Sequence, residues 1–266
     1  RYKLVGQFLV GGAALAYVFI PHAGLPQDWL SVRFHLAIPF VAFSKHPIIL
    51  PGWLYGSFAL ICVVGMSNGV NLTDGADGLA IGPVIVNALA YLVIAYLTGA
   101  VFSGMVLAKY LSAIGPETRE ALSKPEVMFS VAKYLDIPAL SPASELTIYC
   151  GAMIGAGVGF LWFNSFPASV FMGDVGALSL GGGIGMLAVL TKSELLSLIL
   201  GGIFVLEAGS SALQTSYFKL TRRLTGEGRR LFLRAPFHHH LEKKGWPETK
   251  IVVRFWIISI LLALVS

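Results

Sequence analysis

Charge is what this chain has least of. Asp, Glu, Lys and Arg make up 12% of its 266 residues, about half the share of an ordinary soluble domain. With 56% hydrophobic residues and a mean hydropathy of +0.76, it lacks the polar surface that a water-soluble fold of this length needs. Cysteine is scarce too, at two residues. Cys62 and Cys150 both lie inside apolar runs and read as small core residues, which argues against a disulfide framework or a thiolate metal centre. Also absent are a P-loop, a dinucleotide glycine fingerprint, a helical His-Glu-x-x-His zinc motif and a serine nucleophile elbow. Only Arg1, Tyr2 and Lys3 precede the first apolar run, and no cleavage-type sequence follows it, so the start does not read as a secretory signal.

Long apolar runs are abundant instead. A helix crosses the hydrocarbon core with about 20 apolar residues. Seven stretches meet or approach that length: roughly 4–20, 52–70, 79–99, 145–163, 176–190, 195–218 and 251–266. The expected fold is all-α, a polytopic transmembrane helix bundle with residues 1–266 forming a single transmembrane domain. The fifth run is short and rich in glycine (Gly176, Gly181, Gly182, Gly183, Gly185), a composition that lets helices approach closely in lipid. The sixth carries Glu207 and Gln214. Each reads equally well as an interhelical hydrogen bond or as a group facing a wet cavity.

Seven spans put the two chain ends on opposite sides. With residue 1 inside, twelve of the 19 Lys and Arg residues fall on the inner side, so the positive-inside rule places that side in the cytoplasm. Most of this bias comes from residues 219–250. The outer loops are then 21–51, 100–144 and the turn Thr191–Glu194. In the first, Val32, Phe34, Leu36, Ile38 and Phe40 recur at period two against Arg33 and His35, which predicts a short strand or β-hairpin at the interface. The second holds a polar stretch, Gly115 to Pro125, that reads as a short surface helix.

The inner loops 71–78, 164–175 and 219–250 carry the chemistry. Asn68, Asn71, Thr73, Asp74 and Asp77 crowd beside glycines before the third run. Helix capping explains one or two of them and leaves the rest for a functional cleft. Asp174 directly precedes the glycine-rich helix. It reads as a cap or as a hard-metal ligand, and a carboxylate-held Mg²⁺ beside free helix N–H groups would attract a diphosphate. The third loop runs through Arg222, Arg223, Arg229, Arg230 and Arg234 to His238, His239 and His240. Headgroup anchoring accounts for most of the arginines. The histidines fit contacts to phosphate or a polar substrate group better than zinc, because no Cys or spaced second His accompanies them. Acidic groups for Mg²⁺ and basic groups for phosphate on one side point to phosphoryl transfer between a nucleotide-linked donor and a lipid acceptor. A transporter or flippase would account for Glu207 and Gln214, but it predicts internal repeats and polar groups at mid-membrane on several spans.

Asn71 to Ala80, Phe163 to Ala168, Phe171 to Gly176 and Ala235 to Glu248 closely resemble the motifs of the bacterial phospho-N-acetylmuramoyl-pentapeptide transferases. These form a branch of the polyprenyl-phosphate N-acetylhexosamine-1-phosphate transferases, and the resemblance runs along the whole chain. The triple-His motif and its tail favour this branch over the N-acetylglucosamine-1-phosphate transferases. The resemblance implies transfer of phospho-N-acetylmuramoyl-pentapeptide from its UDP-linked donor to undecaprenyl phosphate, giving lipid I and UMP. It implies Mg²⁺ as cofactor, the bacterial cytoplasmic membrane as location, an active site on the cytoplasmic face, a homodimer and no nucleic-acid partner. Asp174 would be the Mg²⁺ ligand, and Asn71, Asp74 and Asp77 would line the cleft. Phe171 would pack on uracil near Asn164, Gly173, Gln214 and Ala235. His239, flanked by His238 and His240, would contact substrate groups. Two departures stand out. Ala76 replaces a commoner Leu, and the Asp-Asp pair that follows the third of the family's ten spans is absent here. The seven runs are therefore expected to correspond to the fourth to tenth spans, with the Asp-Asp pair in a preceding segment.

Overall fold

The computed structural model describes residues 2–22, 24–46, 48–103 and 128–266. The expected surface helix from Gly115 to Pro125 lies outside them. Each of the seven apolar runs forms helix: α1 (Tyr2–Phe19), α3 (Gly52–Thr73), α4 (Ile81–Gly99), α6 (Leu146–Asn164), α7 (Gly173–Leu190), α8 and α9 (Leu196–Leu200, Gly202–Thr225) and α11 (Glu248–Val265). Among the described residues, α3, α4, α7 and the stretch Ser141–Asn164 are long and apolar enough to cross a membrane. Short elements fill the connections: α2 (Gln27–Val32), α5 (Val131–Leu135) and α10 (Phe237–Lys243).

The alternation after Val32 becomes a smaller feature than its length suggests. Val32 ends α2, and the hairpin is two residues a side, β1 (His35–Leu36) against β2 (Ile48–Ile49), with His35 opposite Ile49. A second antiparallel pair, β3 (Val101–Ser103) with β4 (Met128–Ser130), has no comparable sequence signal.

The bundle is apolar inside and out. Met66, Val70, Val84, Tyr91, Cys150, Ile184, Leu187 and Phe204 fill its centre, while Leu9, Trp53, Ile148, Trp162 and Leu264 face outward, each more than two-thirds exposed. That is the surface of a helix bundle in lipid, where close packing rather than water exclusion holds helices together. The tightest approach is between α3 and α7. A Cβ at Gly181 would meet Met66 O at 2.6 Å, and one at Gly185 would meet Val63 Cα at 2.7 Å. Small residues at that spacing bring the two backbones together.

At the hairpin end, Lys192 is buried in the turn after α7. Its Nζ donates to Arg33 O (2.9 Å) and to the Tyr55 hydroxyl (2.5 Å) and lies 3.6 Å from Glu194 Oε1. Tyr55 donates in turn to the same carboxylate. Burial pushes the Lys192 ammonium down and the Glu194 carboxyl up. This cluster clamps the hairpin end shut, and the open polar groups gather at the opposite end.

The α3–α7 contact generates a paired prediction. Gly185→Val forces the backbones apart and should destabilise the protein by about 1–3 kcal/mol, the usual range for overpacking. Gly182→Val, at a position with nothing within 4 Å of an added Cβ, should leave the thermal midpoint in detergent close to that of the parent. Equal midpoints for the two variants would refute the close-approach account.

Candidate active site

The three inner loops converge at the end of the bundle away from the hairpin. The chain leaves α3 at Thr73, whose hydroxyl returns to Gly69 O (2.8 Å) and extends the helix to its last turn. Asp74 is the C-cap, and a short loop then leads into α4. Backbone polar groups in such a loop need partners at a membrane edge. Gly78 N–H donates to Asn164 Oδ1 (3.1 Å), and Gly78 O accepts from Trp256 Nε1 (3.0 Å). Asp77 N–H donates to Glu248 Oε1 (2.9 Å), while Asp77 Oδ2 accepts from Ala168 N–H (2.9 Å). Asn164 also donates to Val170 O (2.9 Å). One network thus ties loop 71–78 to loop 164–175 and to the start of α11.

This network assigns work to two of the predicted residues. Asp77, through Oδ2, and the Asn164 amide hold backbone. Asn71, Asp74 and Asp174 are different. In the amide orientation that satisfies both neighbours, Asn71 donates to Asp174 Oδ1 (2.9 Å) and accepts from Lys3 Nζ (3.3 Å). Lys3 Nζ also pairs with Asp174 Oδ2 (3.1 Å), with 42% and 70% of the two side chains exposed. Asp174 sits in the first turn of α7, which has no side-chain cap, so the N–H groups at that end are left for an anion. Burial, and then the charge of Asp174, raise the Asp74 carboxyl above its ordinary range. Two carboxylates close enough to repel each other suit a divalent cation.

The third loop contributes the histidines. They lie on α10. His238 is buried, with its N–H on Glu207 Oε1 (3.0 Å) and its Nδ1 2.8 Å from Glu207 Oε2. A carboxylate only accepts, so Nδ1 carries the hydrogen. The other ring nitrogen, Nε2, is buried without a partner and faces Gly75, where an added Cβ would lie 2.6 Å away. His239 Nδ1 lies 2.8 Å from Glu242 Oε2. His238, His239 and Glu242 each bring a potential ligand atom within 4.8 Å of the others, so the carboxylate of Glu242 stands where no Cys or spaced second His does. His240 Nδ1 accepts from Leu233 N–H (3.1 Å), and its ring stacks on Phe237. Gln214 is likewise committed, since its Oε1 accepts from Leu231 N–H and Phe232 N–H at 3.0 and 2.9 Å. Phe171 is 73% exposed beside Gly173, whose φ of +67° favours glycine. Ala235 is half-buried ahead of Pro236.

Sequence reading passed over Lys3, Glu248 and Trp256. Lys3 enters the sequence reading only as a residue ahead of the first apolar run. Its signal was position: it opens a span on the same side as the acidic residues. Glu207, left open between a hydrogen bond and a cavity group, is an interhelical bond to the triple-His helix.

Two predictions follow from this geometry. Glu207→Ala strands two buried donors of His238, at about 1–3 kcal/mol for each unsatisfied group, and should lower the unfolding midpoint in detergent; an unchanged midpoint would mean the contact does not hold. Asp174→Asn removes one of the two causes that raise Asp74. The Asp74 carboxyl should then lose its proton at lower pH, though still above the ordinary carboxylate value because burial remains. A carboxyl carbon NMR titration in nanodiscs reads that shift, and no movement would separate the two residues.

Comparison with known proteins shows the family. A protein of Sorangium cellulosum (strain So ce56) named phospho-N-acetylmuramoyl-pentapeptide-transferase is 59% identical over all 266 residues. Proteins of the same name in Anaeromyxobacter sp. (strain Fw109-5) and Maridesulfovibrio salexigens are 49% and 44% identical, each across the whole chain. The chain spans 62–64% of the length of these three relatives. The family model of glycosyl transferase family 4 matches residues 1–192, a stretch that includes Lys3, Asn71, Asp74, Asp77, Asn164 and Asp174; the chain belongs to glycosyl transferase family 4.

Proposed function

We propose that the protein carrying this chain transfers phospho-N-acetylmuramoyl-pentapeptide from its UDP-linked donor to undecaprenyl phosphate, yielding lipid I and UMP. The observation that carries the proposal is the grouping of Lys3, Asn71, Asp74 and Asp174 beside the triple-His helix, in a chain whose relatives bear that activity in their names along its full length. In net terms, the bond between the sugar-bearing phosphorus and the oxygen bridging it to the uridine phosphate breaks. A bond from that phosphorus to an oxygen of the lipid phosphate forms, and the electron pair leaves with UMP.

Asp174 and Asp74 would hold Mg²⁺, which fits their mutual repulsion and oxygen chemistry. When bound, the ion would neutralise diphosphate charge and polarise the reacting phosphoryl group. Lys3 supplies a fixed cation beside Asp174, and the uncapped N-terminus of α7 supplies N–H donors to phosphate oxygens. His239 is held at Nδ1 by Glu242, so its Nε2 is the acceptor available to a substrate hydrogen. Phe171, exposed at the rim, offers a flat face for a nucleobase. We place the site on the cytoplasmic face of the bacterial inner membrane, where the basic bias of the loops agrees with it, and expect a homodimer.

The test uses full-length protein with the UDP-linked donor and undecaprenyl phosphate, reading UMP release. Chelation of Mg²⁺ should stop release and re-addition should restore it. Asp174→Asn should lower turnover by about 100-fold or more, the scale of losing a preorganised electrostatic contact. Folded full-length protein that releases no UMP would sink the assignment, and near-normal Asp174→Asn turnover would remove Asp174 from the metal role.

A further inference from the structure

The last turns of α9 and the segment after them form a basic, leucine-studded hairpin that the transfer reaction does not use. Phe204 already packs at Gly69 and Glu207 already bonds His238 beside the acidic loop, so α9 reaches the inner edge of the bundle within its first two turns and its later turns project beyond the packed helices. Gly226, at φ +80°, ends it. The chain then turns back along the helix. Arg229 N–H donates to Thr221 Oγ1 (2.8 Å), Leu231 and Phe232 bond Gln214, and Leu233 N–H reaches His240. Gly228 lets the returning segment lie on Phe218, whose ring atoms an added Cβ would meet at 2.4 Å.

The faces of this hairpin are unusual for a water-exposed element. Leu220, Leu224, Leu231 and Leu233 are each more than half exposed. Leu220 and Leu224 share a helix face, and Leu231 and Leu233 stand exposed on the segment that returns along it. Around them stand Lys219, Arg222, Arg223, Arg229, Arg230 and Arg234, with Glu227 as the one acid of the segment. These six side chains are exposed, and among the described residues none of them makes an ion pair. Leucines at the acyl boundary and cations at the phosphates are the pattern of an element that lies in an anionic interface.

We propose that residues 217–234 seat on anionic phospholipid headgroups of the bilayer the chain spans. The occupant is the lipid surface and not a soluble polyphosphate: the leucines would gain nothing from the latter. The bond from Leu233 N–H to His240 fixes the seated hairpin to the triple-His helix.

The experiment is limited trypsin digestion of the full-length protein in nanodiscs, neutral phosphatidylcholine against a mixture with phosphatidylglycerol. Cleavage after Arg222, Arg223 and Arg234 is measured relative to cleavage after Lys243 and Lys244, exposed residues on the same side that correct for the protease's own attraction to the surface. Each seated cation is worth about a fivefold gain in partition. The relative cleavage should therefore fall by about tenfold or more in anionic lipid and recover in high salt. Arg229→Gln with Arg230→Gln should restore cleavage in anionic lipid, and unchanged cleavage after Lys243 and Lys244 verifies that the variant is folded. Equal relative cleavage in both lipids overturns the proposal. Protection in neutral nanodiscs by added inorganic pyrophosphate, without protection by anionic lipid, overturns it in favour of a soluble polyphosphate.

Discussion

The site depends on how two consecutive residues, Asp77 and Gly78, satisfy their backbone. They leave a membrane-embedded helix and enter another within a few residues, at a depth where water cannot be counted on to complete every hydrogen bond. Asn164, Glu248 and Trp256 reach in from two other parts of the chain and supply the missing partners. The Asp77 side chain then returns the favour to Ala168. Satisfying one loop thus fixes the relative positions of three. The helices that carry these partners are themselves set by close contacts, chiefly α3 on α7 through Gly181 and Gly185, so the network rests on a rigid frame.

Against that frame the uncommitted groups stand out. Asp174 and Lys3 are exposed and, among the described residues, paired only with each other and Asn71, while Asp74 is held near enough to feel the Asp174 charge. Their mutual strain is electrostatic and is relieved by a cation or lost with a proton. The hairpin end has the opposite character. Lys192, Tyr55 and Glu194 satisfy one another almost completely out of solvent, with only Glu194 Oε2 left unpartnered. A buried pair of that kind is sensitive to the loss of either member but offers nothing to a ligand in the aqueous phase. Polarity at one end closes the bundle, and polarity at the other leaves it open.

Much of this was legible in the sequence, for a physical reason. Hydrophobic runs of membrane length have few alternatives, so all seven became helices, and the crowding of Asn68, Asn71, Thr73, Asp74 and Asp77 exceeded what capping one helix start requires. Side-chain partners were not legible. Asn164 and Gln214 look the same in sequence whether their amides face a ligand or hold a loop, and only the folded chain shows both bonded to backbone. The alternation around Phe34 overstated a strand because its first residue was needed to finish α2. Lys3 was overlooked because a lone cation beside a span is usually a headgroup anchor, and only the fold sets it against Asp174.

The close contact between Gly75 and His238 constrains how the site can move. His238 is gripped by Glu207 at both its backbone and ring nitrogen, and Glu207 is buried within α9. Gly75 abuts the far side of the same ring. The acidic loop and the triple-His helix therefore share a wall with no room for sliding: a shift of either by an ångström would collide with the other or break the Glu207 bonds. The rim formed by Phe171 and Gly173 has no such restraint, since Phe171 is exposed and a Cβ at Gly173 would meet nothing within 4 Å. In the proposed reaction, adjustment to the donor would fall to the rim, while the acidic and histidine groups keep their spacing. That division suits chemistry in which the reacting groups must stay preorganised and the variable part of a large substrate enters past a movable edge.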